Sequence, residues 1–255
     1  MNLSVLLGKE LREQWRTYRL LAMALVFVAF AGLLSPIVAK VAPELLKNLP
    51  TGTGQTITIE LPEPTAVDAI AQYLKNLTQT GIIVLILVAM GTVAQERERG
   101  TVVTVPSKPV SRLSFLMAKF IALTLTLAAS LVLATLACWT YTVVLFGPFD
   151  AGVFIRASLL SALYLWVFLA VTFLCSTLTR SPIAAGGLSI GIYALVSLLG
   201  IVPRIKPYVP AALIEGATRL ALGESADAGR AIATSLVAVL ACLILAHRTF
   251  EKREL

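Results

Sequence analysis

Six apolar runs dominate the sequence, at residues 20–39, 77–94, 120–146, 157–178, 182–202 and 228–247. Each is close to the ~20 residues that an α-helix needs to cross the hydrocarbon core of a bilayer. No water reaches that core to satisfy backbone N–H and C=O groups, so only helices and closed barrels cross it. The runs lack the alternating apolar–polar pattern of barrel strands. The sequence therefore predicts an all-α membrane protein with six transmembrane helices in a single transmembrane domain, 1–255. Composition agrees: 58% of the 255 residues are hydrophobic and 14% are charged, against roughly 25% charged in soluble domains. An ordinary water-soluble enzyme and a disordered chain are both excluded. Six spans use most of the apolar residues, which leaves no room for a second soluble domain.

The net charge of +7 is first a matter of topology,, before any nucleic-acid partner is considered. With the amino terminus in the cytoplasm, the inside segments hold 13 of the 21 Lys and Arg residues and 6 of the 14 acids. The whole positive excess then lies on one side. This predicts a multi-pass protein of the cell (plasma or inner) membrane with both termini cytoplasmic and no nucleic-acid partner.

Four stretches do not span. In residues 1–19, Leu3, Leu7, Leu11, Trp15 and Tyr18 share one helical face and Lys9, Arg12, Arg16 and Arg19 the other, which predicts an amphipathic helix in the bilayer interface. Glu10 intrudes on the apolar side and has no partner legible in the sequence. In the loop 40–76, Thr56–Leu61 alternates weakly like a strand and 65–76 reads as a short helix. Residues 203–229 contain a helical stretch, 211–222, too short and too charged to cross. It is expected to be a short outer re-entrant or interfacial helix before the last span. The fourth stretch joins the second and third spans.

Several chemistries are absent. No G-x-x-x-x-G-K-[ST] string is present to cradle nucleotide phosphates,. His247 is the sole histidine, so a multi-histidine metal site is impossible. Cys138, Cys175 and Cys242 lie in apolar runs and read as packing residues,. Gly187-Leu188-Ser189-Ile190-Gly191 matches G-x-S-x-G, but hydrolases need that string on a strand–turn–helix elbow, and here it falls inside a span. The same residues form G-x-x-x-G, so Gly187 and Gly191 are assigned to helix packing. Thr124, Thr126, Ser130, Thr135, Thr140 and Thr142 give the third span a polar character. They line a substrate path or bond their own helix backbone. The span centres carry no Asp, Glu, Lys or Arg, which an ion-coupled transporter would need. Energy for transport must then come from a partner.

Residues 95–119 read QERERGTVVTVPSKPVSRLSFLMAK. Alternating charges lead to Gly100-Thr101, then to a short proline-punctuated piece on the cytoplasmic side. Physically this is either a solvated connector or a docking segment for a soluble surface. The spacing of Glu96, Gly100 and Thr101, then Pro109, Ser111 and Arg112, then Lys119 resembles the signature of ABC-2-type permeases, the membrane subunits of ATP-binding-cassette transporters. Glu-Arg-Glu-Arg-Gly-Thr is especially similar to the permease of the nitrous-oxide-reductase maturation transporter. Val102, Val103 and Val105 replace the usual leucines, Pro106 interrupts the short helix, and Ala118 stands where glycine is common.

The resemblance implies a permease subunit with no enzymatic activity of its own, forming the transmembrane path for export or flipping of a substrate. A coupling helix within 96–112 would dock on a separate cytosolic ATPase subunit. Glu96, Arg97, Glu98, Arg99, Gly100, Thr101, Pro109 and Arg112 would make that contact. ATP and Mg²⁺ would be bound by the ATPase and no cofactor by this chain. A second permease copy, identical or not, would complete the unit in the lipid bilayer. The alternatives are an ion-coupled secondary transporter and a membrane assembly factor that does not transport.

Overall fold

A computed structural model describes residues 3–47, 63–98 and 112–253. Among them every regular element is helical, and six helices are long and apolar enough to cross a membrane. The short helix α1 (Leu3–Arg16) precedes the first span, α2 (Arg19–Leu45). The remaining spans are α3 (Ala66–Glu98), α4 (Arg112–Phe146), α5 (Ala151–Leu178), α6 (Pro182–Leu199) and α8 (Gly229–Arg253). The short α7 (Ala211–Ala221) lies between α6 and α8. The weak strand pattern at 56–61 lies outside the described residues.

Alternating directions define two ends of the bundle. The near end gathers α1, the start of α2, the end of α3, the start of α4, the α5–α6 turn and the end of α8. The far end holds the α4–α5 turn and α7. α5 is central: α3, α4, α6, α7 and α8 all pack on it. In its most apolar stretch 61% of residues are buried, against 17% in α6.

α1 and α2 are separate helices because Tyr18 adopts φ 57°, left-handed backbone that is uncommon for a non-glycine residue,. α3 begins well before its apolar run. Its first 11 residues, Ala66–Asn76, are opened by a capping box in which Thr65 and Asp68 bond each other's backbone,. The short helix expected over 65–76 thus runs on into the second span without an intervening loop.

Pro36 explains an irregularity in α2. It has no N–H, and its ring crowds the carbonyl four residues earlier. The helix widens ahead of it into a π-helical stretch, Phe27–Leu33. The Phe30 carbonyl accepts from Ser35 Oγ at 3.2 Å and from Asn76 Nδ2 at 2.9 Å. Asn76 stands at the head of a second π stretch, Leu77–Gly81, in α3. Irregular backbone in a span needs such partners. α2 also approaches α4 closely at Gly32, where a Cβ would stand 2.9 Å from Ala137 Cβ and 3.1 Å from the Ala134 carbonyl oxygen.

The polar residues of α4 divide. Ser130 and Thr140 donate to carbonyls of their own helix. Thr124 accepts from Trp166 Nε1, Thr126 donates to Gln14, and Thr135 bonds the Tyr73 hydroxyl. Half the set therefore ties α4 to other helices.

Candidate functional site

The near end is built around one buried ammonium. Lys119 stands two turns into α4 and is only 2% exposed. Its Nζ lies 3.0 Å from Glu10 Oε2 on α1 and 2.8 Å from Glu96 Oε1 on α3, and 5.0 Å from the centre of the Phe115 ring. A charged amine cannot be left bare in such surroundings. Two carboxylates from two other helices supply the compensation. Burial pushes the Glu10 carboxyl up from its ordinary range, and Lys119 beside it draws it part of the way back,.

Glu10 thus has the partner that the sequence could not supply. The face of α1 turned inward is Leu6, Glu10 and Gln14, each four residues apart and each buried. Gln14 accepts a hydrogen bond from the buried Thr126 hydroxyl. This rotation leaves Trp15 and Tyr18 exposed, along with Lys9, Arg12 and Arg16. The wheel drawn from sequence sets Trp15 and Tyr18 opposite the cations, whereas here both are exposed as the cations are, and the packing side of α1 is polar rather than leucine-rich.

A second set of contacts holds the end of α3. The Ser176 hydroxyl of α5 donates to the Met90 carbonyl at 2.8 Å and accepts from the Val93 and Ala94 N–H groups at 3.0 Å each. It is inserted into the helix ladder where Ala94 would otherwise bond Met90, and α3 is interrupted at Met90,. Arg97 donates to the Thr177 carbonyl and lies 5.3 Å from the Phe250 ring centre. Phe250 stacks on Phe115 at 6.0 Å. Gln95 accepts from Arg19 at 2.7 Å, joining α3 to the start of α2.

The residues singled out for docking separate accordingly. Glu96 and Arg97 are half-buried and engaged with other helices of this chain, while Glu98 is exposed at the end of α3. Arg99, Gly100, Thr101 and Pro109 lie outside the described residues, and Arg112 opens α4. The helix-packing assignment shifts in register. Among the described residues nothing lies within 4 Å of where a Cβ would stand on Gly187 or Gly191, whereas at Gly186 it would meet Met90 Sδ at 2.8 Å. The close approach within the chain is therefore made by Gly186, on the same side as the buried Ala185 and Ser189. Ser189 donates to the Ala185 carbonyl of its own helix at 2.7 Å, which is no arrangement for a nucleophile.

Carboxylate oxygens of Glu10, Glu13 and Glu96 lie within 4.8 Å of one another. Metals favour such groupings, but the Lys119 ammonium already stands between two of the three acids and supplies the cation. Sequence reasoning named Lys119 and Glu10 without joining them, and it missed Gln14 and Ser176. A carboxylate on the apolar face of α1 was the one visible sign that a buried cation existed elsewhere.

Comparison with known proteins bears on this geometry. The family described as ABC-2 family transporter protein matches residues 4–255. An uncharacterized transmembrane protein, YxlG of Bacillus subtilis (strain 168), is 27% identical over 257 residues, covering 98% of this chain and 97% of its own.

Proposed function

Because the chain belongs to the ABC-2 transporter family, and so is a membrane component of that transporter class, we propose that it is the permease subunit of an exporter driven by a separate cytosolic ATPase. One observation carries the reading. The two helices that flank residues 99–111 in the sequence, α3 and α4, are joined by the Glu96–Lys119 ion pair. Arg97 fixes the end of α3 to α5. A segment that delivers force needs a stiff base, and docking residues need to be displayed beyond it. Arg99, Gly100, Thr101 and Pro109 belong to residues 99–111 in the sequence, and Glu98 and Arg112 flank them. Glu96 and Arg97 brace the flanking helices.

In this reading the near end faces the cytosol of the cell membrane, as the distribution of Lys and Arg requires. ATP and Mg²⁺ are bound by the ATPase, whose closure pushes on 99–111. This chain binds no cofactor and catalyses nothing alone. A second permease copy completes the unit. The outer face of α6, where Gly187 and Gly191 are open, offers a surface on which another helix can approach closely,.

Co-purification tests the reading. The full chain is expressed in turn with each candidate ATP-binding-cassette ATPase of the same genome. Replacing Glu98 and Arg99 with Ala should weaken association about tenfold, or about 1.4 kcal/mol, with insertion unchanged. Equal retention of the ATPase by wild type and variant, or no retention by either, contradicts it.

A further inference from the structure

The first two spans are irregular at the same depth, and Pro36 accounts for only one of them. The π stretch of α2, Phe27–Leu33, lies ahead of that proline. The π stretch of α3, Leu77–Gly81, has no proline in or beside it. Yet the two face each other. The Phe27 ring lies 3.5 Å from where a Cβ would stand on Gly81, and the Asn76 amide reaches the Phe30 carbonyl and Ser35 Oγ at 2.9 Å each. π turns are rare, and they recur at functional sites. We propose that the paired π stretches, with Asn76 as their positioning residue, form a hinge on which the far pieces of α2 and α3 swing as one body to open the far end. The proposal rests on the permease reading, which gives the motion its purpose.

Packing changes partners across this seam. Beyond it, Leu34–Lys47 and Ala66–Asn76 lie chiefly along each other. On the near side the two helices part: Arg19–Val26 packs chiefly on α4, whereas Ile82–Ala89 and Gly91–Glu98 pack chiefly on α5. The firm ties to α4 fall on a single turn of that helix. Gly32 closes on Ala134 and Ala137, and the Tyr73 hydroxyl bonds Thr135 at 2.8 Å. Contacts gathered at one level act as an axle. Farther out, Lys40 Nζ reaches the Leu145 carbonyl only at 3.5 Å. Side chains hold carbonyls within the irregular backbone: Thr78 donates to Lys75, and Tyr193 of α6 donates to Thr78. Such bonds can be exchanged for regular ones without leaving a polar group bare in lipid. A shallow cleft lined by Phe27, Phe30, Thr80 and Gly81 gives the turns room to tighten. The arm Leu34–Lys47 has 14 residues, or about 20 Å, so a tilt of about 15° carries its tip about 5 Å,.

The test uses the full chain, its three cysteines replaced by Ala, in phosphatidylcholine–phosphatidylglycerol nanodiscs with the ATPase that co-purifies with it. Spin labels are placed in pairs at exposed positions. Leu45→Cys with Val144→Cys reports the far piece of α2 against α4, Leu45→Cys with Lys75→Cys the two far pieces against each other, and Leu25→Cys with Leu125→Cys the near side. Trapping with ATP and vanadate should shift the first distance by about 5 Å and leave the other two unchanged. Asn76→Ala should let the Leu45–Lys75 distance change on trapping as well. Should that variant not fold, the three distances in the chain with native Asn76 still decide. An unchanged Leu45–Val144 distance in the trapped complex overturns the hinge. So does an equal shift in Leu25–Leu125, which would mean a helix moving whole, or in Leu45–Lys75, which would mean two independent arms. If no ATPase is retained, the permease reading falls, and the hinge is read in the chain alone. There the Leu45–Val144 distances should be spread more widely than the Leu25–Leu125 distances, and equal widths overturn it.

Discussion

Two clusters of three charges stand at opposite ends of the molecule. At the near end one ammonium, Lys119, lies buried between the carboxylates of Glu10 and Glu96. At the far end one carboxylate, Glu215 of α7, lies between Lys206 at 2.7 Å and Arg219 at 2.9 Å, with all three side chains a third exposed or more. The distances are alike and the surroundings are not. Water screens the far cluster, and pairs of that kind contribute about 0–1 kcal/mol. Removing one partner from a buried pair leaves a bare charge and costs about 3–5 kcal/mol. Equal geometry thus fixes structure only where water is shut out. The near end is where three helices must hold a registry, and the far end is where a surface helix needs only to stay soluble.

The comparison sharpens into graded outcomes. Lys119→Met should be the most disruptive, lowering stability by about 3–5 kcal/mol in thermal unfolding of the detergent-solubilised chain. Gly32→Ala should follow at about 1–3 kcal/mol, because its methyl would press on Ala137 and on the Ala134 backbone. Ser176→Ala leaves the Met90 carbonyl and two N–H groups without their shared partner. About 1–3 kcal/mol is expected, along with faster amide exchange at Val93 and Ala94. Glu215→Gln should cost less than about 1 kcal/mol. A loss there equal to that of Lys119→Met would break the comparison, since burial would no longer decide the value.

Acidity separates the clusters further. The hydrogen bond from Lys206, then the charges of Lys206 and Arg219, hold the Glu215 carboxyl below its ordinary value of 4.5. A carboxyl with a lowered folded pKa stabilises the fold above its unfolded pKa and loses that contribution as pH falls through the folded value. Wild type and Glu215→Gln should therefore differ by the same small amount from neutral pH down to mildly acidic pH and converge only in stronger acid. Unfolding midpoints measured across that range check the sign.

Hydropathy made the six spans legible because a bilayer allows so few alternatives. A short helix over 65–76 was legible, but nothing in the sequence showed that it continues without a loop into the second span. The site was harder to read. Glu96 and Lys119 were visible as members of a spaced signature. Their pairing with Glu10 was not, because contact over 109 residues leaves no local pattern. Ser176 is one hydroxyl in an apolar run, and its role appears only when α5 lies against the break in α3. On α6 the small residues were evident, yet period alone could not say whether Gly186 or its neighbours Gly187 and Gly191 would meet α3 within the chain.

Site-specific crosslinking measures the central claim most directly. A photoreactive residue at Val103, within the segment between α3 and α4, is compared in native membranes with one at the exposed Ile205 beyond α6. The account predicts an adduct with an ATP-binding-cassette ATPase from position 103 and none from 205. An ATPase adduct from 205, or its absence at 103 in membranes where the ATPase is abundant, would contradict it.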